Sequence, residues 1–508
     1  MNLRFHNTLS RKVEDLRPLE AGRLGIYVCG PTVYDAPHLG HARSAVVFDV
    51  FRRFFEALSY NVTLVRNITD IDDKIILKAQ ATGTDYRTIA ERYQNQYDAV
   101  MAALNVQAPH AAPRATAYIG TCQELVARML RNGHAYRSGK SVYLAIHSCR
   151  DYGRLSGRSC DPLPDISRCR EQPAKRHPGD FALWKGAKTA EPQWSSPWGP
   201  GRPGWHIECT AMSHALLNTP FDIHGGGRDL IFPHHENEIA QSIAAFGKPP
   251  AATWLHHGMV TVGQAKMAKS KGNAPPLETL LQAYPPEAVR LFLLSRHYRR
   301  DLPYTEAALQ ESTAQLNRLY ILARRLKAVF GPRFSTQSRR SFLWQRFARH
   351  LASDGNITGG MAVLFETTRE LNRALDTTVA NRYGTLWRTT QSTAADWRYI
   401  CRDILGVLHM TAEAHGQARR KNHAPVLSRA AIEGLVIRRQ AARKNLDWVT
   451  ADALRGVLEE NGVHLQDKNH ETLWHHGKQK GRITAEAQHD DGCETICQAD
   501  GHPSTETV

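Results

Sequence analysis

From Gly25 to about Leu144, short continuous apolar runs alternate with stretches whose apolar residues recur at helical spacing. Ile26 to Cys29 is one such run, closed by Gly30 and Pro31, and reads as a buried parallel strand. Val46, Val47, Val50, Phe51, Phe54 and Phe55 then fall on one face of a helix predicted over 39–58. A strand from Val62 to Arg66, a helix from Lys74 to Ala81 and a longer helix from Tyr86 to Leu104 continue the alternation. This is the pattern of a parallel sheet with crossover helices, and it fits one half of a doubly wound nucleotide-binding fold.

Prolines crowd residues 145–200 and mark a loop-rich insertion. The alternation returns with a strand at Phe221 to His224, a turn at Gly225, Gly226 and Gly227, and a helix from Glu236 to Phe246. A third strand, Gly258 to Val262, leads into a basic loop. From Pro286 onward helical spacing dominates, with an apolar stripe at Leu316, Leu319, Leu322 and Leu326 that suits a bundle. The last of these helices is predicted from Ala395 to Glu413. Two further helices and a short strand pair near Val463 to Leu473 follow, and residues 476–508 are polar enough to read as a disordered tail.

The charge balance changes this picture in one respect. Lys and Arg number 65 against 49 Asp and Glu, a formal net charge of +16, which suits a polyanionic partner. Basic clusters thicken along the chain, from Arg296, Arg299 and Arg300 to Arg438, Arg439, Arg443 and Lys444, and favour a large RNA. The first residues lack the pattern of a signal peptide and no apolar run is long enough to span a membrane, so a cytoplasmic protein is expected. Nine irregularly spaced cysteines make no disulfide framework and read as buried thiols or metal ligands. Cys149, Cys160 and Cys169 form no Cys-x-x-Cys pair and are expected as exposed loop thiols, and Cys493 and Cys497 lie in the tail.

Several residue groups carry chemistry. His38, Gly40 and His41 stand where a loop becomes a helix, a position whose free N–H groups favour a phosphate. Gly40 would let a ring or ribose approach the backbone. Far down the chain, Lys266-Met267-Ala268-Lys269-Ser270 forms a basic segment between Gly263 and Gly272. Asp70, Asp72 and Asp73 stand at a helix start, where capping and dipole compensation explain acids and a Mg²⁺ site is the alternative. His234 and Glu238 are four apart on a predicted helix, which suits either a shared metal or a hydrogen-bonded pair. Cys29 and Cys209 are as consistent with packing as with ligation.

Pro37 to Arg43 resembles the HIGH signature of class I aminoacyl-tRNA synthetases, and Lys266 to Ser270 resembles their KMSKS loop with Ala268 in place of the first Ser. Tyr27 to Asp35, Asn67 to Lys74, Gly201 to Cys209 and Phe221 to Glu238 resemble the cysteinyl-tRNA synthetases in particular, and the match runs to about Trp474. The resemblance implies a doubly wound, Rossmann-like parallel catalytic sheet, then an α-helical bundle and a small mixed C-terminal domain. Its implied boundaries are 1–144 and 201–275 for the two catalytic halves, 145–200 for the insertion, 276–315 for a stem-contact region, 316–425 for the bundle and 426–475 for the anticodon-binding domain.

By the same resemblance Cys29, Cys209, His234 and Glu238 match zinc ligands, one ion per chain. His38, Gly40, His41, Lys266, Met267, Lys269 and Ser270 match the ATP site, with Mg²⁺ accompanying the nucleotide. Trp205, His206, His224 and Asp229 would face the cysteine. The implied reaction joins L-cysteine to ATP as an adenylate with release of pyrophosphate, then passes cysteine to the 3′ end of tRNA(Cys), in a monomeric enzyme. Catalysis would rest on the positive donors His38, His41, Lys266 and Lys269. A soft cation also explains rejection of serine, since a hydroxyl is a poor zinc ligand at neutral pH. Four protein ligands would close the metal's shell, so Glu238 is expected to yield or the coordination to expand when cysteine binds. A ligase for an amino-sugar would not need the basic helices after residue 316, and a catalytically silent tRNA-binding factor would not need the intact His38, His41, Lys266 and Lys269.

Overall fold

The computed structural model describes residues 1–158, 175–263, 265–267, 275–331, 341–378, 385–410, 429–460, 463–468, 471–476 and 479–484. The chain divides into two compact units, Met1–Ala412 and Glu413–Val508.

The first unit opens with a hairpin, β1 (Arg4–Asn7) and β2 (Lys12–Asp15), and then enters the alternation read from the sequence: β3 (Arg23–Val28), α1 (Leu39–Ala57), β4 (Asn61–Arg66), α2 (Asp73–Thr82) and α3 (Tyr86–Ala103). The six apolar residues that predict α1 are each at most 1% exposed. Burying a side chain of that kind stabilises the fold by about 1.5–3 kcal/mol, so this face alone commits the helix to the sheet. β9 (Phe221–Gly227), α6 (Glu236–Phe246) and β10 (Ala251–His257) form the second half. The four strands lie in the order β10-β9-β3-β4, all parallel, which is the expected doubly wound sheet.

Three local expectations change. Gly225, Gly226 and Gly227 are the last residues of β9, not a turn. A Cβ on Gly225 would stand 2.3 Å from the Phe48 ring, so the bare backbone there lets α1 lie directly on the strand. The strand expected over 258–262 is two pieces: β10 belongs to the sheet, and β11 (Val260–Val262) pairs instead with β12 (Ala265–Lys266) and β13 (Leu302–Pro303). The insertion also holds more order than its prolines suggest. β7 (Phe181–Gly186) joins β5 (Ala135–Ser138), β6 (Ser141–Leu144) and β8 (Gly201–Pro203) in an antiparallel sheet over a core that includes Trp184 and Trp198. Cys149 is buried there rather than exposed, and Cys160 and Cys169 lie outside the described residues.

Helices Glu306–Phe330, Phe342–Ala352, Ile357–Thr378 and Thr385–Tyr399 complete the first unit, with the stripe of Leu316, Leu319, Leu322 and Leu326 buried. The helix expected from Ala395 to Glu413 is the end of the last of these, which passes through a wider turn at Ile400–Ile404.

The second unit has helices Arg429–Lys444 and Trp448–Glu460 against a three-stranded antiparallel sheet, His464–Lys468, Glu471–His476 and Gln479–Thr484. Ile432, Val436, Leu458, Val463 and Trp474 make its core. The third strand lies inside the stretch expected to be disordered, because it pairs with the strand carrying Trp474. Residues 485–508, with Cys493 and Cys497, lie outside the described residues.

Candidate active site and metal centre

α1 begins at Leu39 with His38 as its cap. His38 Nδ1 accepts from the Gly40 N–H at 3.0 Å, and His41 Nδ1 accepts from the His38 N–H at 3.2 Å. The two rings stack with centroids 4.0 Å apart. Because each Nδ1 is an acceptor, each Nε2 carries the proton and is the donor of its ring. A Cβ on Gly40 would meet the His38 ring at 2.8 Å, so what Gly40 admits is that imidazole.

One turn further, the wholly buried Arg43 donates to the carbonyls of Gly258 and Met259, both at 2.9 Å, and of Arg300 at 2.5 Å. Burial pulls its pKa down to about 10. Arg43 thereby ties the start of α1 to the turn that feeds β11 and Lys266. Lys266 pairs through its backbone with Thr261, and Met267 is buried with its N–H on the Val260 carbonyl at 2.9 Å. Lys269 and Ser270 lie outside the described residues.

These elements border a cavity of about 680 Å³ at the C-terminal ends of the strands. Its lining includes the predicted Cys29, His38, Gly40, His41, Trp205, Asp229 and Met267. Ligand binding at that edge is the rule for open parallel sheets. It also includes Thr32, Tyr34, Arg66, Lys74, Tyr97 and His257, which sequence reasoning missed. His256 and His257 end a parallel strand beside the glycine triplet, and recognising β10 would have exposed them.

Behind one wall stands a buried cluster. Cys29 follows β3, Cys209 lies in α5 (Trp205–Leu217), and His234 and Glu238 straddle the start of α6. Their four donor atoms lie within 4.8 Å of one another. The sulfurs of Cys29 and Cys209 are 3.8 Å apart, too far for a disulfide and close to the roughly 3.8 Å that two tetrahedral Zn–S bonds of about 2.3 Å demand. A second grouping, Cys29, His224, His235 and Glu238, meets the same proximity. The first has two sulfurs and includes His234, on which the cavity residue Trp205 stacks at 4.4 Å. It is the better zinc set.

The electrostatics suit a cation. The Cys209 thiol is pulled down to about 6, chiefly by its hydrogen bond with Cys29, while burial pushes Cys29 up. Burial holds His206, His235 and His256 well below the ordinary histidine value, and it brings His257 to about 4. For His234, burial is outweighed by Glu238 and Cys209, and its pKa rises. The lowered imidazoles of His206, His235, His256 and His257 add no positive charge beside the cluster.

The remaining predicted residues stand in three places. His206 Nδ1 is 2.9 Å from His234 Nδ1, and Asp229 lines the cavity. His224 does not border the cavity but stands behind Glu238. The acids at the start of α2 are all engaged: Asp70 accepts from the Thr116 N–H at 2.9 Å, Asp72 caps the helix, and Asp73 pairs with Lys185 at 2.6 Å and with Arg202. A hydrogen bond, a cap and ion pairs thus engage Asp70, Asp72 and Asp73 respectively.

Comparison with known proteins bears on the family and the fold. Residues 15–314 match the family model described as tRNA synthetases class I (C) catalytic domain. The chain is 44% identical over 476 residues to a protein of Thioalkalivibrio sulfidiphilus named cysteine–tRNA ligase, covering 94% of this chain and all of that one. A protein of the same name from Vibrio atlanticus is 42% identical over 475 residues, 93% of this chain and 99% of that one. Among solved structures, the Mycobacterium tuberculosis methionyl-tRNA synthetase in complex with methionyl-adenylate aligns with a TM-score of 0.58 at 18% identity. That alignment covers 77% of this chain and 92% of the other, and it shows a shared fold.

Proposed function

The chain belongs to the cysteine–tRNA ligase family of class I tRNA synthetases, ligases that attach cysteine to tRNA(Cys), and from that premise we propose how its own residues perform the reaction. The observation that carries the proposal is that one cavity has the His38–His41 pair on its lining and a cluster of two sulfurs, an imidazole and a carboxylate behind its wall at Cys29.

Cysteine and ATP, the latter with Mg²⁺, meet in this cavity. An oxygen of the cysteine carboxylate attacks the α-phosphorus, the bond to the β-phosphate's bridging oxygen breaks, and pyrophosphate leaves. His38 and His41 donate through Nε2 to phosphoryl oxygens as negative charge builds, and Lys266 and Lys269 supply further positive charge. Met267 and the backbone beside it seat the nucleotide, with Gly40 and Ser270 completing that site. The 3′-terminal ribose hydroxyl of tRNA then attacks the activated carbonyl, and AMP departs.

A zinc ion held by Cys29, Cys209, His234 and Glu238 would supply a soft Lewis acid that a thiolate seeks and a serine hydroxyl does not. Trp205 braces His234 from the cavity side, His206 contacts His234 Nδ1 without lining the cavity, Asp229 accepts from the substrate ammonium, and His224 holds Glu238. The helices after Glu306, and by itself the second unit with the exposed Arg438 and Lys444, bind the anticodon arm, while Arg439 and Arg443 are engaged by Asp467. The test is exchange of labelled pyrophosphate into ATP: cysteine stimulates it and serine does not. Exchange that ignores the amino acid would refute the proposal.

A further inference from the structure

We propose, on the premise that cysteine is adenylated in this cavity, that Arg66 is a further substrate-binding residue whose guanidinium pairs with the α-carboxylate of the amino acid. The arginines buried among the described residues are Arg43, Arg53, Arg66, Arg202, Arg290 and Arg439. Arg53 and Arg290 pair with Asp49, Arg202 with Asp73 and Arg439 with Asp467. Arg43 donates through both terminal nitrogens to backbone carbonyls, its Nε alone lacking a partner. Arg66 is different. It is 5% exposed, its Nε, like those of Arg43, Arg202 and Arg439, is buried with no hydrogen-bond partner, and among the described residues no carboxylate pairs with it. Its one side-chain partner is the hydroxyl of Tyr97, which lines the same cavity.

A guanidinium offers five donors, and withdrawing it from water without acceptors is costly. A substrate anion removes that cost. Position decides which anion. Arg66 is the last residue of β4, and its register partner on β3 is Val28, the residue before Cys29. Its Cγ lies 3.3 Å from where a Cβ on Gly30 would stand. Arg66 therefore stands beside the backbone of Val28 to Gly30, at the end of the strand that leads into Cys29. His38 and His41, at the start of α1, serve the phosphates. A cysteine whose sulfur faces the Cys29 wall presents its carboxylate a few bonds away, and a planar fork matches a carboxylate in two parallel hydrogen bonds.

The test uses the full-length, zinc-loaded enzyme with Arg66→Met and Arg66→Lys. Pyrophosphate exchange gives KM for cysteine and for ATP. Inhibition by cysteamine, which keeps the thiol and amine but has no carboxylate, gives a contact Arg66 does not make. Arg66→Met should raise KM for cysteine by about 10- to 100-fold, the worth of a charge-assisted pair, with Arg66→Lys between it and the wild type. KM for ATP and the inhibition constant of cysteamine should stay unchanged. Cysteamine weakened in parallel, a rise confined to ATP, or no rise for cysteine would each overturn the assignment. Wild-type enzyme that fails to exchange with cysteine would refute the adenylation premise itself, an outcome distinct from all three.

Discussion

His224 donates through Nε2 to Oε2 of Glu238 across 2.9 Å, and neither side chain reaches solvent. The direction is fixed because a carboxylate only accepts. The other oxygen, Oε1, lies 3.1 Å from His234 Nε2. The carboxylate is thus held between a predicted metal ligand and an imidazole that stacks on Trp254 with centroids 4.4 Å apart. Partners that orient a metal ligand typically carry 10- to 100-fold in metal affinity or activity. His224→Ala should therefore weaken zinc binding by about 10- to 100-fold while the folded protein remains, read by competition with a chromophoric chelator. An unchanged affinity would remove His224 from the metal site.

The basic loop gives an independent expectation. Lys269→Ala should lower cysteinyl-adenylate formation by about two to three orders of magnitude, the loss typical of one donor aimed at developing charge. Single-turnover pyrophosphate release measures it, and a loss under tenfold would count against that role. Ala268 lacks the hydroxyl of a serine but leaves both lysines in place, so wild-type rates should remain those of an active ligase.

Stability should respond to acid through α1. Asp49 on that helix accepts from Arg53 at 2.8 Å and pairs with Arg290 of helix Pro286–Leu294, which also donates to the Leu104 and Leu405 carbonyls at 3.0 and 2.6 Å. Burial works against the Asp49 charge, yet Arg290 and then Arg53 outweigh it and hold the carboxyl below its usual range. A depressed carboxyl binds its proton more weakly folded than unfolded. Its contribution is complete above the unfolded value near 4 and is lost as pH falls through the lower folded value. Asp49→Ala leaves two buried guanidinium groups without their acid and should cost about 3–5 kcal/mol at neutral pH. Thermal melts at neutral pH and at about pH 3 check both parts, because the variant's deficit should shrink in acid. A deficit independent of pH would contradict the assignment.

Much of this was legible before any coordinates. α1 was readable because its apolar stripe is strict and unbroken from Val46 to Phe55, and its start because His38 and Gly40 interrupt nothing else. The order and spacing of motifs pointed to the family. What periodicity cannot do is bring together Cys29 and Cys209, whose adjacency depends on α5 docking behind β3, and only resemblance joined them. The errors have local causes. Three glycines signal a turn by composition, yet Gly225 to Gly227 stay extended because Phe48 and His235 occupy the space their side chains would need. β10 follows Pro249 and Pro250 and ends in two histidines, so no hydrophobic count marks it as the edge strand of the parallel sheet. β7 hides among prolines, and Gln479–Thr484 is polar but gains its order from pairing. Arg66 gave no signal, since an arginine at a strand end is ordinarily solvated.

The central claim is that a sulfur-seeking ion at Cys29, Cys209, His234 and Glu238 selects the amino acid. Its most direct test is metal analysis of the purified enzyme, coupled to activation of cysteine and serine before and after chelation. The account predicts about one zinc per chain, activation of cysteine alone, loss of that activity with the metal and its return with added zinc. Full cysteine activation in metal-free enzyme, or serine activated as readily as cysteine, would contradict it.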